Sequence, residues 1–346
     1  MISRMVRAGV LSGLIMTTAE GRIWTDTTGR KIDAEILAVE GDKVVLQFKG
    51  KRTPLALDRL SAEDRSFAEQ WTKDHPAGAG EVKTPDPPAG ELKLCGTTLN
   101  SNGSVNQVQE PLSAAALKSF SKAKVKPTLL KMAVALPAGF DPAKPQHVMW
   151  VSAAINNDDE RKNGNCGAMG MYAGAATAAG WVVIAADTEL GNPRMEDNQR
   201  SEGGDLAVHQ NAVEVLAKAW PAFKTWTFAC CGFSGGAKAS FYRVGDLLAS
   251  ELNVAGMFLA GCNQDLTADA REETRCRKAG LRKIRVFISN GKSDTISSMA
   301  LAEAVESSVK GNGYGDVRLE PFEGDHSMNR AGFEQAMAWF KEPPEK

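Results

Sequence analysis

The chain has 346 residues, too many for one average domain and suited to a large α/β domain of about 250 residues beside a small module. Its 41 basic and 42 acidic residues leave a net charge of −1, which excludes nucleic acid as the main partner and leaves no polybasic patch for a membrane surface.

At the N-terminus, Arg4 and Arg7 precede a short apolar run at residues 8–16, and Thr17-Thr18-Ala19 offers small residues for a cleavage site. This pattern predicts a secretory signal peptide over residues 1–19 and a secreted or periplasmic protein. The apolar run is too short to span a bilayer as an ordinary transmembrane helix, and no other run is apolar enough.

Residues 22–25 and 31–39 alternate around the turn Asp26-Thr27-Thr28-Gly29. Residues 43–49 and 53–57 follow behind Gly41-Asp42 and Gly50-Lys51. Short strands at this spacing predict a small antiparallel barrel, and Ser61 with Glu63 and Asp64 caps a helix ending near Trp71. The stretches 24–29, 34–40 and 57–64 resemble SLA1 homology domain 1, an SH3-like module of endocytic adaptors, here placed at residues 20–72. That resemblance implies a peptide or protein ligand and a docking role; a spacing domain without ligand is the other reading. Residues 73–92 are rich in proline and glycine and read as a linker.

From Leu129 onward, strands alternate with helices. Residues 129–136, 147–153, 181–186, 225–233, 254–260, 284–289 and 317–322 read as strands. Helices are expected at 167–179, from a cap at Asp205 to Trp220, from Ala237 through Leu248, at 298–310, and at the end up to Phe340. This order predicts a doubly wound, mostly parallel sheet over residues 93–346, with ligands at the C-terminal edge of its strands.

The central stretch is the uncharged run ending in Cys230-Cys231, which breaks at Gly232-Phe233-Ser234-Gly235-Gly236 into a helical pattern. A serine at the apex of so tight a strand-to-helix turn needs neighbours without side chains two positions away, and the G-x-S-x-G spacing provides them. A glycine-rich turn with an idle serine is the plainer alternative. A serine hydroxyl needs an imidazole to take its proton and a carboxylate to orient that imidazole. Of the four histidines, only His326 lies downstream of the elbow, in a loop after the last strand. His75 falls in the linker, His147 at the wrong end of its strand, and His209 on an apolar helix face, as a core histidine would. Asp294, in the loop after strand 284–289, is the best-placed acid; a helix cap is its plainer role, and Asp265 is the runner-up.

In that order Ser234, Asp294 and His326 resemble the triad of an α/β-hydrolase. The proline-flanked turn 137–145 before a strand resembles secreted esterases of the polyhydroxybutyrate-depolymerase and feruloyl-esterase type. Where such enzymes carry His-Gly after that strand, this chain has Ser152-Ala153-Ala154. The oxyanion donors implied are the N–H of Gly235 and that of Ala153 or Ala154. The expected function is hydrolysis of a small-molecule or carbohydrate ester, the latter suggested by polar loops at 156–165, 189–204 and 262–275. Lys238 resembles the lysine of glucuronoyl esterases, but their neighbouring arginine is replaced by Gly235, and it reads as an exposed helix lysine. A serine peptidase and a catalytically silent binding or envelope protein are the rival readings.

Among the six cysteines, adjacent Cys230 and Cys231 read as small core residues. In an exported protein Cys262–Cys276 and Cys95–Cys166 are pairs that could close, with connectivity open. No Cys/His grouping has metal-ligand spacing, so no cofactor or metal is expected.

Overall fold

The computed structural model describes residues 22–48, 51–74, 92–154, 158–192 and 204–343. The expected signal peptide and nearly all of the linker lie outside the described residues. The chain divides into two compact units, Met1–Lys83 and Thr84–Lys346.

In the first unit, β1 (Arg22–Thr25), β2 (Lys31–Glu40), β3 (Lys43–Phe48) and β4 (Lys51–Ala56) form an antiparallel sheet in chain order, followed by helix α1 (Ala62–Asp74). A bridge between Asp26 and Leu60 returns the chain to the end of β1. The helix is anchored by Asp64, whose carboxylate accepts from Thr25 N–H at 2.7 Å and from Ser61 Oγ at 3.0 Å. Trp24 lies in a core with Ala34, Val44, Leu46, Leu60 and Ala68. Its indole N–H donates to Ala34 O at 2.9 Å, so the buried polar handle is satisfied.

The second unit opens with a hairpin, β5 (Lys93–Leu94) and β6 (Thr97–Thr98), then β7 (Val105–Pro111), α2 (Ala114–Ser119), β8 (Leu129–Ala135) and β9 (His147–Ser152). Next come α3 (Asp158–Gly167), a 3₁₀ turn (Ala168–Met171), α4 (Ala173–Ala178), β10 (Trp181–Thr188) and α5 (Gly204–Ala219). The remainder is β11 (Thr227–Phe233), α6 (Gly235–Ala249), β12 (Asn253–Ala260), α7 (Thr267–Thr274), α8 (Lys278–Leu281), β13 (Arg285–Gly291), α9 (Met299–Asn312), β14 (Asp316–Phe322) and α10 (Arg330–Lys341).

One eight-stranded sheet has the order β14-β13-β12-β11-β9-β10-β8-β7. Only β8 runs against its neighbours; the other pairings are parallel. The strands in the middle are mostly apolar on both faces because both faces are covered. Val148, Trp150, Phe228 and Cys230 belong to one core cluster, while Met149, Val151, Ala229 and Cys231 belong to the other. This is the doubly wound α/β-hydrolase architecture, and β9 is its switch point: the chain passes from β9 to β10 on one side, then crosses to β11 on the other. A crevice opens where such a reversal occurs, beyond the strands' C-terminal ends. The ends of β9 and β11 are Ser152 and Phe233, next to Ala153 and Ser234.

Several expectations need correction. The single helix expected at 167–179 is broken into the end of α3, a 3₁₀ turn and α4, in a stretch with glycines at 164, 167, 170 and 174. Asp205 is not a cap but lies inside the first turn of α5, where its buried carboxylate meets Arg243 Nη2 at 3.3 Å. Arg243 also pairs with Asp246, so the buried guanidinium ties α5 to α6 behind the elbow. All six cysteines are free. Cys230 and Cys231 face opposite sides of the sheet, as consecutive strand residues must. Neither expected disulfide forms: the buried Cys166 thiol lies 3.6 Å from Lys131 O, and that of Cys262 lies 3.3 Å from Gln264 O. Strand β7 and helices α2 and α7 had no counterpart in the sequence reading.

Candidate active site

The elbow is built by steric exclusion. A Cβ on Gly232 would sit 2.1 Å from the carbonyl carbon of Gly236, and one on Gly236 would sit 2.3 Å from Ser152 O. Both glycines are therefore required by backbone, which cannot move aside as a flexible side chain can. Between them Ser234 holds φ 55° and ψ −117°. A non-glycine residue in so sparsely populated a region costs about 1–3 kcal/mol, and Ser234 N–H, donating to Ala260 O at 2.8 Å, helps to hold it there. Gly235 is the first residue of α6, and N–H groups in a first turn have no acceptor within their own helix.

His326 follows β14 in a loop that lies hard against the end of β13. Ser293 N–H donates to Gly324 O at 2.9 Å, and a Cβ on Gly291 would meet Asp325 O at 2.2 Å. The imidazole stands 4.8 Å from the Phe233 ring, and a Cβ on Gly261 would reach within 3.0 Å of it. Its Nδ1 lies 2.7 Å from Asp294 Oδ2. The other oxygen, Asp294 Oδ1, accepts from Ile296 N–H at 2.8 Å and Ser297 N–H at 2.7 Å. Burial alone would raise this carboxyl, but the bonds from Ser297, His326 and Ile296 outweigh it and hold the pKa below the ordinary carboxylate value. Asp294 therefore holds the ring and organises the turn before α9, but it is not the helix cap of the plainer reading. The cap of α9 itself is Ser298. Asp265 is engaged elsewhere, accepting from Thr267 N–H at 2.8 Å and from Ser308 Oγ and Asn312 Nδ2 at 2.7 Å.

A cavity of about 590 Å³ is lined by Ser234, Gly235, His326, Ala153 and Ala154. Its walls include Met171, Tyr172, Phe233 and Ile296, with Asn163, Asn263, Glu160 and Lys238 as the polar part. The wall is thus more apolar than the polar loops of the sequence suggested, and Met171 and Ile296 are exposed at 49% and 57%. Lys238 is half-buried and faces this cavity rather than standing out on the helix surface. Of the two candidate donors after β9, Ala153 N–H is already committed, donating to Asn165 Oδ1 at 2.9 Å. Ala154, the other candidate, also lines the cavity. His147 lies at the start of β9, and buried His209 packs on Trp150 with Asp205 Oδ1 3.5 Å away, as a core histidine does. Among the described residues no group of His, Cys, Asp and Glu side chains could hold a metal ion.

Sequence reasoning missed Asn165 and Asp187, which act on backbone far from them in sequence and carry no motif.

Residues 17–75 match the family SLA1 homology domain 1. No curated protein matches the chain. Similar solved structures include Thermogutta terrifontis esterase 2 phosphorylated by paraoxon, 13% identical over 67% of this chain and 91% of that one, with a TM-score of 0.45. A ferulic acid esterase is 14% identical over 68% of this chain and 96% of that one, with a TM-score of 0.42. A variant of the esterase rPPE is 11% identical over 83% of this chain and 91% of that one, with a TM-score of 0.46.

Proposed function

We propose that the second unit is a serine hydrolase that cleaves carboxylic esters through an acyl-enzyme. The observation that carries this reading is one cavity shared by a serine on a strained elbow and a histidine bonded at 2.7 Å to a carboxylate. Ser234 Oγ attacks the ester carbonyl while His326 Nε2 takes its proton. Asp294, accepting from Nδ1–H, keeps the ring in the tautomer with Nε2 unprotonated and stabilises the imidazolium that forms. The N–H groups of Gly235 and Ala154 bind the negative oxygen of the tetrahedral intermediate. Collapse expels the alcohol, which receives the proton from His326. Water then repeats the sequence on the acyl-enzyme, releasing the acid and free Ser234.

The apolar wall of Met171, Phe233 and Ile296 suits the acyl group, and the polar part around Asn163, Lys238 and Asn263 suits a hydroxylated alcohol such as a sugar. Export through residues 1–19 and peptide docking by the N-terminal unit complete the proposal. No helix among the described residues is long and apolar enough to cross a membrane.

A fluorophosphonate probe tests the reading. Labelling of the wild-type chain that disappears in Ser234→Ala is the expected result. No labelling, with no turnover of acetyl, feruloyl or longer acyl esters, would leave a silent scaffold.

A further inference from the structure

The segment that supplies the second oxyanion donor contains only Ser152, Ala153 and Ala154, so its position must come from what packs on it. On one side is Gly236, close enough that a Cβ would strike Ser152 O at 2.3 Å. On the other is Asn165, 1% exposed. Its side-chain oxygen accepts from Ala153 N–H at 2.9 Å, and its side-chain nitrogen donates to Ala186 O at 2.9 Å on β10. One carboxamide therefore spans from the loop after β9 to the neighbouring strand.

Asn165 is held in its turn. Asp187, 1% exposed at the end of β10, accepts from Asn165 N–H at 3.1 Å and from Cys166 N–H at 2.7 Å, one bond to each carboxylate oxygen. Gly164 adopts φ 59°, and any Cβ there would lie 2.6 Å from the Asp187 carboxyl atoms. The end of α3 is thus moulded around a buried acid. Burial raises the Asp187 pKa to about 6 against the opposing effect of the two N–H donors. A buried carboxylate kept at that cost, with both oxygens occupied by backbone donors, fixes backbone position.

We infer that Asn165, held by Asp187, is a positioning residue for the oxyanion site: it ties down Ala153 N–H and so sets the Ala153–Ala154 peptide for Ala154 N–H to meet the developing oxyanion. This inference rests on the reading of Ser234 as the nucleophile. A displacement of about 1 Å at a reacting group can cost about 10²-fold in rate, so a residue that touches no substrate can still control turnover.

The test combines kinetics, an inhibitor and amide exchange on the full chain. In Asn165→Ala and the near-isosteric Asn165→Leu, kcat on an activated ester should fall roughly 10–100-fold with KM within about twofold. Affinity for an arylboronic acid, which forms a tetrahedral adduct on Ser234, should fall by the same factor. A merely structural role would not move that inhibitor in step with kcat. Unchanged kcat in Asn165→Leu, or a rise in KM with boronate affinity intact, overturns the inference. Amide exchange needs no variant: Ala153 N–H should exchange far more slowly than Ala154 N–H in the wild-type chain, and equal rates overturn the inference even if neither variant folds. Slow exchange at Ala153 with no Ser234-dependent turnover would instead remove the hydrolase reading, and the positioning role with it, while the Asn165 bond stood.

Discussion

The triad proposed for the cavity is made of side chains, whereas the proposed oxyanion donors are backbone N–H groups. His326 and Asp294 meet through a single 2.7 Å bond between ring and carboxylate, whereas the segment after β9 carries alanines and is fixed from outside by Asn165. The difference teaches where redundancy lies. An imidazole or a carboxylate cannot be replaced at its position, because the chemistry is in the side chain. A donor N–H is present at every residue except proline, so what cannot be replaced on that side is the scaffold that aims it.

The largest effects are therefore expected in the triad. Ser234→Ala and His326→Ala should each lower kcat on an activated ester by about 10³-fold or more, since triad members act as a unit. Asp294→Asn should lose nearly as much through the wrong imidazole tautomer. Asp265→Asn should leave kcat unchanged while costing about 1–3 kcal/mol of stability, because it weakens the tie between its loop and α9. A larger kcat loss in Asp265→Asn than in Asp294→Asn would reverse the acid assignment.

The joint between the two halves comes next. Gly236→Ala places a methyl 2.3 Å from Ser152 O, so elbow and oxyanion segment must separate. A kcat loss of roughly 10–100-fold is expected, with a stability loss of about 1–3 kcal/mol by urea denaturation. Full activity in this variant would show that the halves are not rigidly joined.

The same contrast explains what could be read in the sequence. Ser234, Asp294 and His326 could be picked out as candidates because the order expected of nucleophile, acid and base along alternating strands and helices narrows the choice among four histidines to one. The sheet was visible because its buried strands are apolar runs. Asn165 was invisible because its target is a backbone N–H twelve residues earlier, and an asparagine in a polar stretch looks like any surface residue. Lys238 was misread because a lysine on an amphipathic helix usually faces water, and only the folded chain shows that the first turn of α6 borders a cavity. Strand β7 escaped because an edge strand, VNQVQEP, buries few of its residues.

Acid and base titrations sharpen the comparison further, since the buried carboxylates of Asp294 and Asp187 shift in opposite directions. Asp294 is lowered, so its contribution to stability is complete above the ordinary carboxylate value and is lost as pH falls through its folded pKa. Asp187 is raised to about 6, so the folded chain binds the extra proton and stability should fall as pH rises from the ordinary carboxylate value to about 6. For a carboxyl raised from its ordinary value to about 6, the size is on the order of 2–3 kcal/mol. In Asp187→Asn that slope should flatten, whatever the variant costs at fixed pH. An unaltered slope between pH 4 and 6 would mean that Asp187 does not titrate there.

The smallest effect is expected from removing the N-terminal unit. No residue proposed for the triad or the oxyanion site precedes Thr84, and the second unit has its own core on both faces of its sheet. The fragment should begin at Thr84 rather than at Lys93, because Leu92 O accepts from Leu99 N–H at 2.8 Å and Leu92 packs on the core. Such a fragment should stay folded and keep kcat/KM on a small soluble ester within about twofold of the longer chain, while losing any attachment that the first unit provides. A tenfold loss, about 1.4 kcal/mol of transition-state stabilisation, would mean that the first unit contributes to the site. The cavity would then depend on a third support beyond its triad and its oxyanion loop.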